Sequence, residues 1–130
     1  MENRFLCRGK RIDTGEWAEG HLITDETDDS KCFIGYVIGT DEDGIPHDLD
    51  VVQVEPSTIC QCTGYEGIYE KDIFQCDDER YVIEWCDYSL CWEAQAIGSS
   101  ESISLGEFRP DEIVAIGNAI DNPELLEVQP

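Results

Sequence analysis

Positively charged residues are scarce in this sequence. Its 130 residues include eight lysines and arginines against 30 aspartates and glutamates, a formal net charge of −22. Proteins bind nucleic-acid phosphates largely because Lys and Arg replace condensed counterions, and basic segments are attracted to anionic lipid for a similar reason. The composition therefore argues against direct binding of nucleic acid or of an anionic membrane. Basic protein partners and divalent cations remain as candidates.

Long apolar runs are also missing. No run approaches the roughly 20 residues that a membrane-spanning helix needs, and residues 1–7 lack the apolar core of a signal peptide. We therefore expect a soluble protein of the cytoplasm, with no membrane partner. A chain of this length is sufficient for one unit whose core depends on neither a metal nor a disulfide.

Paired cysteines with the usual zinc-site spacing are few. The seven cysteines include only two close pairs, Cys60 with Cys62 and Cys86 with Cys91, whereas structural zinc sites usually carry several pairs two to four residues apart. An odd number also argues against a disulfide framework in a cytoplasmic protein. We interpret all seven as reduced, mostly buried thiols, and expect no metal and no cofactor.

Recognisable catalytic patterns are absent as well. His21 and His47 are the candidate bases near neutral pH, and no serine or cysteine stands in a known nucleophile sequence. The segment 41–44, Asp-Glu-Asp-Gly, resembles part of a calcium loop, but Gly39 would occupy the first ligand position and no helix flanks it. We predict that the protein is not an enzyme and has no catalytic, cofactor-binding or metal-binding residues.

Alternation of apolar and polar residues with a period of two is the dominant pattern, and it predicts a mainly β protein. Short strands at this spacing indicate a small barrel or a curled sheet. The predicted strands are Arg4–Cys7, Glu16–Ile23, Phe33–Ile38, Val51–Val54, Asp72–Cys76, Arg80–Cys86, Cys91–Ile97, Ser102–Glu107 and Ile113–Ile116.

One helical turn is expected near the end of the chain. Asn122 is a good N-cap, and Pro123 suits the first helical position because its missing N–H costs nothing there. Leu125 and Leu126 are then expected to fold back onto apolar surface. Asn118 is expected to satisfy the turn that follows the last strand.

Three blocks of sequence carry a family resemblance. They are Arg8-Gly9-Lys10 with Gly15-Glu16-Trp17 and Gly20-His21-Leu22-Ile23, then Thr58 to Gly64 with Ile68 to Ile73, and finally Ile116 to Leu126. In this order and spacing the chain resembles the YopX family of small proteins from bacteriophages and prophages. The resemblance implies one unit over residues 1–130, with N-terminal strands in 1–56 packed beside an SH3-like barrel in 57–130. It also implies an accessory protein of unassigned role in the cytoplasm of a bacterial host.

The aromatic residues give the candidates for an interaction surface. Trp85 and Trp92 fall on an alternating apolar face, which predicts that both lie in the core. Three tyrosines near predicted loops are the candidate surface residues, since exposed aromatics near the loops of a small barrel often form a binding groove. They are Tyr65, Tyr69 and Tyr88.

Protein–protein contact is therefore the function that the sequence favours, with an unidentified protein partner and with a homo-oligomer left open. Two alternatives belong to other classes. The charge suggests an acidic decoy that mimics nucleic acid and occupies a DNA-processing host protein. A small barrel could instead be an unrecognised enzyme or bind a small ligand, in which case a deep pocket should gather polar groups.

Overall fold

The computed structural model describes residues 5–127. Over that range the chain forms ten β-strands, and its helices are four 3-10 turns of three or four residues each. The prediction of a mainly β protein is therefore confirmed. The chain divides into two compact units, Met1–Cys62 and Thr63–Pro130.

The first unit holds one antiparallel sheet of five strands, in the order β4-β3-β2-β1-β5. A 3-10 helix, Pro56–Thr58, separates the fourth strand from the fifth. The core lies on one side of the sheet and is built on Ala18, Ile34, Val52 and Val54. The strands are β1 Cys7–Lys10, β2 Trp17–Thr24, β3 Cys32–Thr40, β4 Pro46–Val54 and β5 Cys60–Gln61.

Strand β2 is shared between two partners. Its first half pairs with β1, with Gly20 opposite Cys7, and its second half pairs with β3, with His21 opposite Gly35. A Cβ atom at Gly20 would collide with the carbonyl oxygen of Gly35. Glycine at position 20 is therefore what allows the two strands to approach where β2 changes partner.

The second unit also holds one antiparallel sheet of five strands, in the order β10-β6-β7-β8-β9. Its core includes Phe74, Tyr81 and Phe108, whose ring centroids lie 5.2 to 5.4 Å apart. The strands are β6 Asp72–Cys76, β7 Glu79–Cys86, β8 Cys91–Ala96, β9 Ser102–Ser104 and β10 Ala115–Asn118. The 3-10 helices are Leu105–Glu107, Pro110–Glu112 and Pro123–Leu126.

Both units have the same strand order. In each, the first strand lies between the fifth and the second, the third and fourth follow outward, and a 3-10 helix precedes the fifth strand. Neither sheet closes into a barrel within the described residues. The SH3-like barrel that the resemblance implies for residues 57–130 is therefore not confirmed.

Several predicted strand bounds differ from the structure. The first strand begins at Cys7 rather than ending there, and the predicted start at Arg4 lies outside the described residues. The apolar pattern did not predict this strand because Arg8 and Lys10 are basic. In the structure these two side chains lie over the Trp17 ring, at 4.5 and 5.3 Å from its centroid. Long basic side chains can cover apolar surface in this way while their charges stay in water.

The last two predicted strands also have different bounds in the structure. The chain leaves the ninth strand at Ser104, and Leu105 then fills the core from a 3-10 turn. The final strand starts at Ala115 instead of Ile113, because Ile113 follows a second 3-10 turn and is itself a core residue. A 3-10 turn of three residues is too short to show a periodic pattern, so an apolar residue in it cannot be told from a strand residue by sequence alone.

The core prediction is wrong for Trp85. Its side chain is 43% exposed, whereas Trp92 is half-buried and packs against the core of the second unit. The two rings lie opposite each other across β7 and β8 in an edge-to-face pair with centroids 5.2 Å apart. They lie next to the turn of the β7–β8 hairpin, beyond the core residues Tyr81 and Ile83 of the same strand face.

Candidate functional site

The candidate site is a solvent-facing apolar surface on the sheet of the first unit. Side chains alternate between the two faces of a strand, so the neighbours of the core residues Ile34 and Val52 point away from the core. Those neighbours lie together, because Val51 is opposite Gly35 and Leu49 is opposite Val37. We call this surface the outer face; its residues are Ile23, Phe33, Gly35, Val37, Leu49 and Val51.

The outer face is apolar and exposed. Val37, Leu49 and Val51 are 48%, 69% and 50% exposed, and Ile23 is 43% exposed. They border a groove of about 180 Å³ with His21 at one side. Gly35 forms its floor, since a Cβ atom there would lie only 2.8 Å from Cδ1 of Ile23. Any larger residue at position 35 would fill the groove or displace Ile23.

The sheet of the second unit has the same strand order as that of the first but a different outer face. On this sheet the exposed and half-buried side chains that point away from Tyr81 and Ile83 are mostly polar, with Glu84 opposite Glu93. Val82 and Ile73 also lie on this side, and both are buried. Next to them Gln95 lies opposite Ser102. Two sheets of the same strand order thus differ in their outer faces, and the apolar character of the first is a property of its sequence, not of the topology.

Acidic loops lie at both ends of the outer face. The first acidic loop, residues 25–31, joins β2 to β3, and the second acidic loop, residues 41–45, joins β3 to β4. Because the strands are antiparallel, these hairpins are at opposite ends of β3. The first contains four acids and Lys31, and the second contains three acids.

Backbone and hydroxyl donors hold these loops in shape. In the first loop the backbone N–H and hydroxyl of Thr27 donate to Oδ1 of Asp25, at 2.9 and 2.7 Å. The Thr27 hydroxyl, and after it the backbone N–H, keeps the pKa of Asp25 below its ordinary value. In the second loop, Oδ1 of Asp41 accepts from the N–H groups of Asp43 and Ile45 at 3.0 and 2.8 Å. One carboxylate oxygen of Asp41 is therefore engaged by its own loop.

The three candidate tyrosines occupy different environments. Tyr69 is only 3% exposed, so its ring offers no surface to a partner. Tyr65 is half-buried and packs against the core of the second unit. Tyr88 lies in the hairpin between β7 and β8 and is 98% exposed. Of the three, Tyr88 alone presents an open ring.

The thiols divide into two groups. Cys60 and Cys62 are buried, and the other five are half-buried, so the expectation of mostly buried thiols is met only by those two. None of the seven is joined in a disulfide. Within residues 5–127 there is no cluster of three or more His, Cys, Asp and Glu side chains placed to hold a metal ion. Of the two histidines considered as bases, His21 borders the groove and the side chain of His47 lies outside what the structure describes.

The sequence blocks that carry the resemblance have structural roles. In the first unit the Thr58 hydroxyl accepts from the backbone N–H of Lys10 at 2.8 Å and donates to the carbonyl of Glu55 at 2.7 Å. It thereby ties the end of β1 to the turn after β4. Thr58 of this block therefore holds the sheet of the first unit together.

The Asn118 to Leu126 block is a second such anchor. The Asn118 side-chain oxygen accepts from the N–H groups of Ile120 and Asp121 at 3.0 and 2.8 Å, which confirms that it satisfies this turn. Asn122 makes no side-chain cap; its oxygen instead accepts from the backbone N–H of Asn118 at 3.2 Å. The predicted cap is wrong because that oxygen is turned back toward β10.

The leucines of this block behave differently from each other. Leu125 is half-buried, and its Cδ1 lies 2.7 Å from where a Cβ atom at Gly117 would stand. Leu126 is 38% exposed. Only Leu125 therefore folds back as expected.

Fold and surface together define a small mainly β protein with two antiparallel sheets of the same strand order. The model of the YopX family, described as YopX protein, matches residues 8–127. The chain therefore belongs to the YopX family, as the resemblance indicated. No curated protein matches the chain, and no solved structure matches it either. None of the helices in the described part of the chain is long and apolar enough to cross a membrane.

Proposed function

We propose that this chain is a non-catalytic accessory protein that binds a protein partner through the outer face of its first unit. The observation that carries the proposal is the contiguous set of four large apolar side chains, each at least 43% exposed, along three adjacent strands. Contiguous apolar surface of this kind on a small protein typically marks an interaction site. The exposed residues on the corresponding face of the second sheet are mostly polar, so the apolar outer face of the first unit is not a consequence of the strand order.

The dimensions of the groove support a protein partner over a small ligand. At about 180 Å³ it is smaller than the roughly 300–1,000 Å³ of typical ligand pockets. A larger depression of about 330 Å³ lies beside Arg11, Asp13 and Asp50. Its one cation is already bonded, because Arg11 donates to both oxygens of Asp13 at 2.9 Å. The groove on the outer face is lined by apolar residues apart from His21 and Tyr36, so it lacks the several convergent polar groups of a typical ligand site.

Family membership supplies the proposed setting, which is a phage or prophage protein acting in the cytoplasm of a bacterial host. For the fold we propose that each unit is an open variant of the SH3-like barrel. Its support is the order fifth, first, second, third and fourth strand in both sheets, with a 3-10 helix before the fifth.

An acidic decoy is a second candidate, favoured by one observation. Glu84 and Glu93 lie directly opposite each other on β7 and β8, where like charges are unfavourable. A basic partner on the outer face of the second unit would relieve that repulsion.

Two matched variants test the proposal and separate it from the decoy. One replaces Val37 and Val51 by Thr and Leu49 by Ser; the other replaces Glu84 and Glu93 by Gln. Exposed substitutions should change the free energy of unfolding by about 0.5 kcal/mol each at most. We expect partner proteins captured from host cells to be lost with the first variant and kept with the second. The opposite pattern would favour the decoy, and a first variant that unfolds would show that the outer face is structural.

A further inference from the structure

We propose that the occupant of the outer face is a basic protein segment, with an apolar middle that covers the groove and Lys or Arg at both ends. This inference rests on the proposed function, because it specifies the partner of the same face. Its support is the charge pattern along β3, which is acidic loop, apolar face, acidic loop.

The size of the outer face makes its rim part of the interface. Four partly exposed aliphatic side chains amount to a patch of a few hundred Å², whereas each partner in a standard stable interface contributes about 800 Å². A stable partner must therefore also contact the surface around the patch. At the two ends of β3 that surface is formed by the acidic loops, and together they hold seven acids and one base, Lys31.

Three of the seven acids in the two loops are held by hydrogen bonds within their own loop. Asp25 and Asp28 each accept from a hydroxyl two residues along, and Asp41 accepts from two backbone N–H groups. The remaining acids of the two loops, Glu26, Asp29, Glu42 and Asp43, are exposed. Lys31 lies 4.0 Å from Asp28 and offsets only one charge.

Charge also argues against a second copy of the chain as the occupant. Two outer faces brought together would place acidic loops near acidic loops, and each copy carries a formal charge of −22. Like charges brought together at an interface are unfavourable and suppress wrong pairings. Partners with complementary charge associate faster and in the correct register.

The length of β3 sets the length of the matching segment. The strand has nine residues, Cys32–Thr40, and an extended chain advances about 3.3 Å per residue. The two acidic loops are therefore separated by about 30 Å along the strand. An extended segment of about nine residues with basic ends would reach both loops.

The test uses three synthetic peptides that share one alternating Val and Thr middle of that length. They differ only in their ends, which carry two lysines, two glutamates or two serines on each side. Binding to the full chain is measured by fluorescence anisotropy at low salt and at 1 M salt, where charges are screened beyond about 3 Å. Two variants accompany the wild type. The loop variant carries Glu26→Gln, Asp29→Asn, Glu42→Gln and Asp43→Asn, and the face variant carries Leu49→Ser and Val51→Thr.

We expect the lysine-ended peptide to bind at least ~10-fold more tightly than the glutamate-ended peptide at low salt, and the difference to shrink at 1 M salt. The loop variant should lower the affinity of the lysine-ended peptide alone. The face variant should weaken the lysine-ended and serine-ended peptides together. Circular dichroism of both variants verifies that they fold.

Other outcomes overturn the inference in distinguishable ways. Equal binding of serine-ended and lysine-ended peptides, both lost in the face variant, would leave the proposed function standing and remove the basic occupant. Lysine-dependent binding that survives in the face variant would show contact through charge alone. Sedimentation of the wild type as a dimer that the face variant dissociates would identify the occupant as a second copy.

Discussion

Asn118 lies directly opposite Asp72 on the neighbouring strands β10 and β6, and both polar side chains are buried, 9% and 2% exposed. Each belongs to one of the sequence blocks that carry the family resemblance. Oδ2 of Asp72 accepts from the backbone N–H of Tyr69 at 2.8 Å, and the oxygen of Asn118 accepts from two N–H groups of the turn that follows it. The two blocks therefore meet where the last strand joins the second sheet, and their shared role there is structural.

Replacing Asn118 by Ala should destabilise the fold by about 1–3 kcal/mol, because it leaves the Ile120 and Asp121 N–H groups without their acceptor in a part-buried turn. Asn122→Ala should cost less, about 1 kcal/mol, since its oxygen accepts from one N–H only. Denaturant unfolding of both variants measures the difference. If Asn118→Ala unfolds at the wild-type midpoint, the signature is retained for something other than stability.

Gly117→Ala should be destabilising by about 1–3 kcal/mol, as overpacking typically is. A Cβ atom at this position would lie 2.6 Å from Oδ1 of Asn122 and 2.7 Å from Cδ1 of Leu125. Gly106→Ala in the same unit is the matched control, because its nearest neighbour would be Oγ of Ser104 at 3.8 Å. Equal melting temperatures for the two variants would refute a packing role for Gly117.

Thiol reactivity should follow burial. Cys60 and Cys62 are expected to react with a thiol-specific dye only after unfolding, whereas the five half-buried cysteines should react with the native protein at intermediate rates. Mass spectrometry after timed labelling identifies the modified positions. A chelator should leave the melting temperature unchanged; a large fall would contradict the expectation that the fold needs no metal.

The pair formed by Cys76 and Glu112 predicts a pH dependence. The Cys76 thiol donates to Oε2 of Glu112 at 3.3 Å, and the backbone N–H of Arg109 donates to Oε1 of Glu112 at 2.8 Å. The Arg109 N–H and then the thiol lower the pKa of Glu112 below 4.5, so the ionised carboxylate stabilises the fold above that pH. That contribution is lost as the pH falls through the lowered pKa of the folded state.

Glu112→Gln should therefore reduce the free energy of unfolding at neutral pH, and the difference from wild type should disappear in acid. The carboxylate also raises the pKa of the Cys76 thiol. The variant should consequently alkylate faster at Cys76 near pH 8, since the thiolate is the reactive form. An unchanged rate together with an unchanged pH profile would exclude the proposed coupling.

The sequence was sufficient to predict the three central strands of the second sheet. Strand β6 was predicted with its true bounds, and β7 and β8 were each wrong by one residue at one end. The pattern was less informative where local contacts replace alternation, as at Arg8 and Lys10 over Trp17.

The outer face could not be found from the sequence for a related reason. Residues 33–38 of β3 are apolar or aromatic at almost every position, so the period of two does not identify which face of this strand lies against the core. The register with β4 identifies it by placing Ile34 opposite Val52. The one signal in the sequence was that β3 is apolar on both faces. A strand of this kind is expected to have both faces covered, one by the core and the other by a partner. The predicted surface residues were three tyrosines instead, and one of them, Tyr69, is buried.

Site-specific photo-crosslinking in cells that produce the chain tests whether the outer face of the first unit contacts a protein partner. A photoreactive amino acid replaces Leu49 on the outer face of the first unit, or Glu84 on the outer face of the second unit, in otherwise identical chains. Both positions are exposed and lie on strands of their sheets. We expect a discrete covalent adduct with another protein from position 49, lost when Val37 and Val51 are replaced by Thr, and none from position 84. An adduct from position 84 with none from position 49 would contradict it.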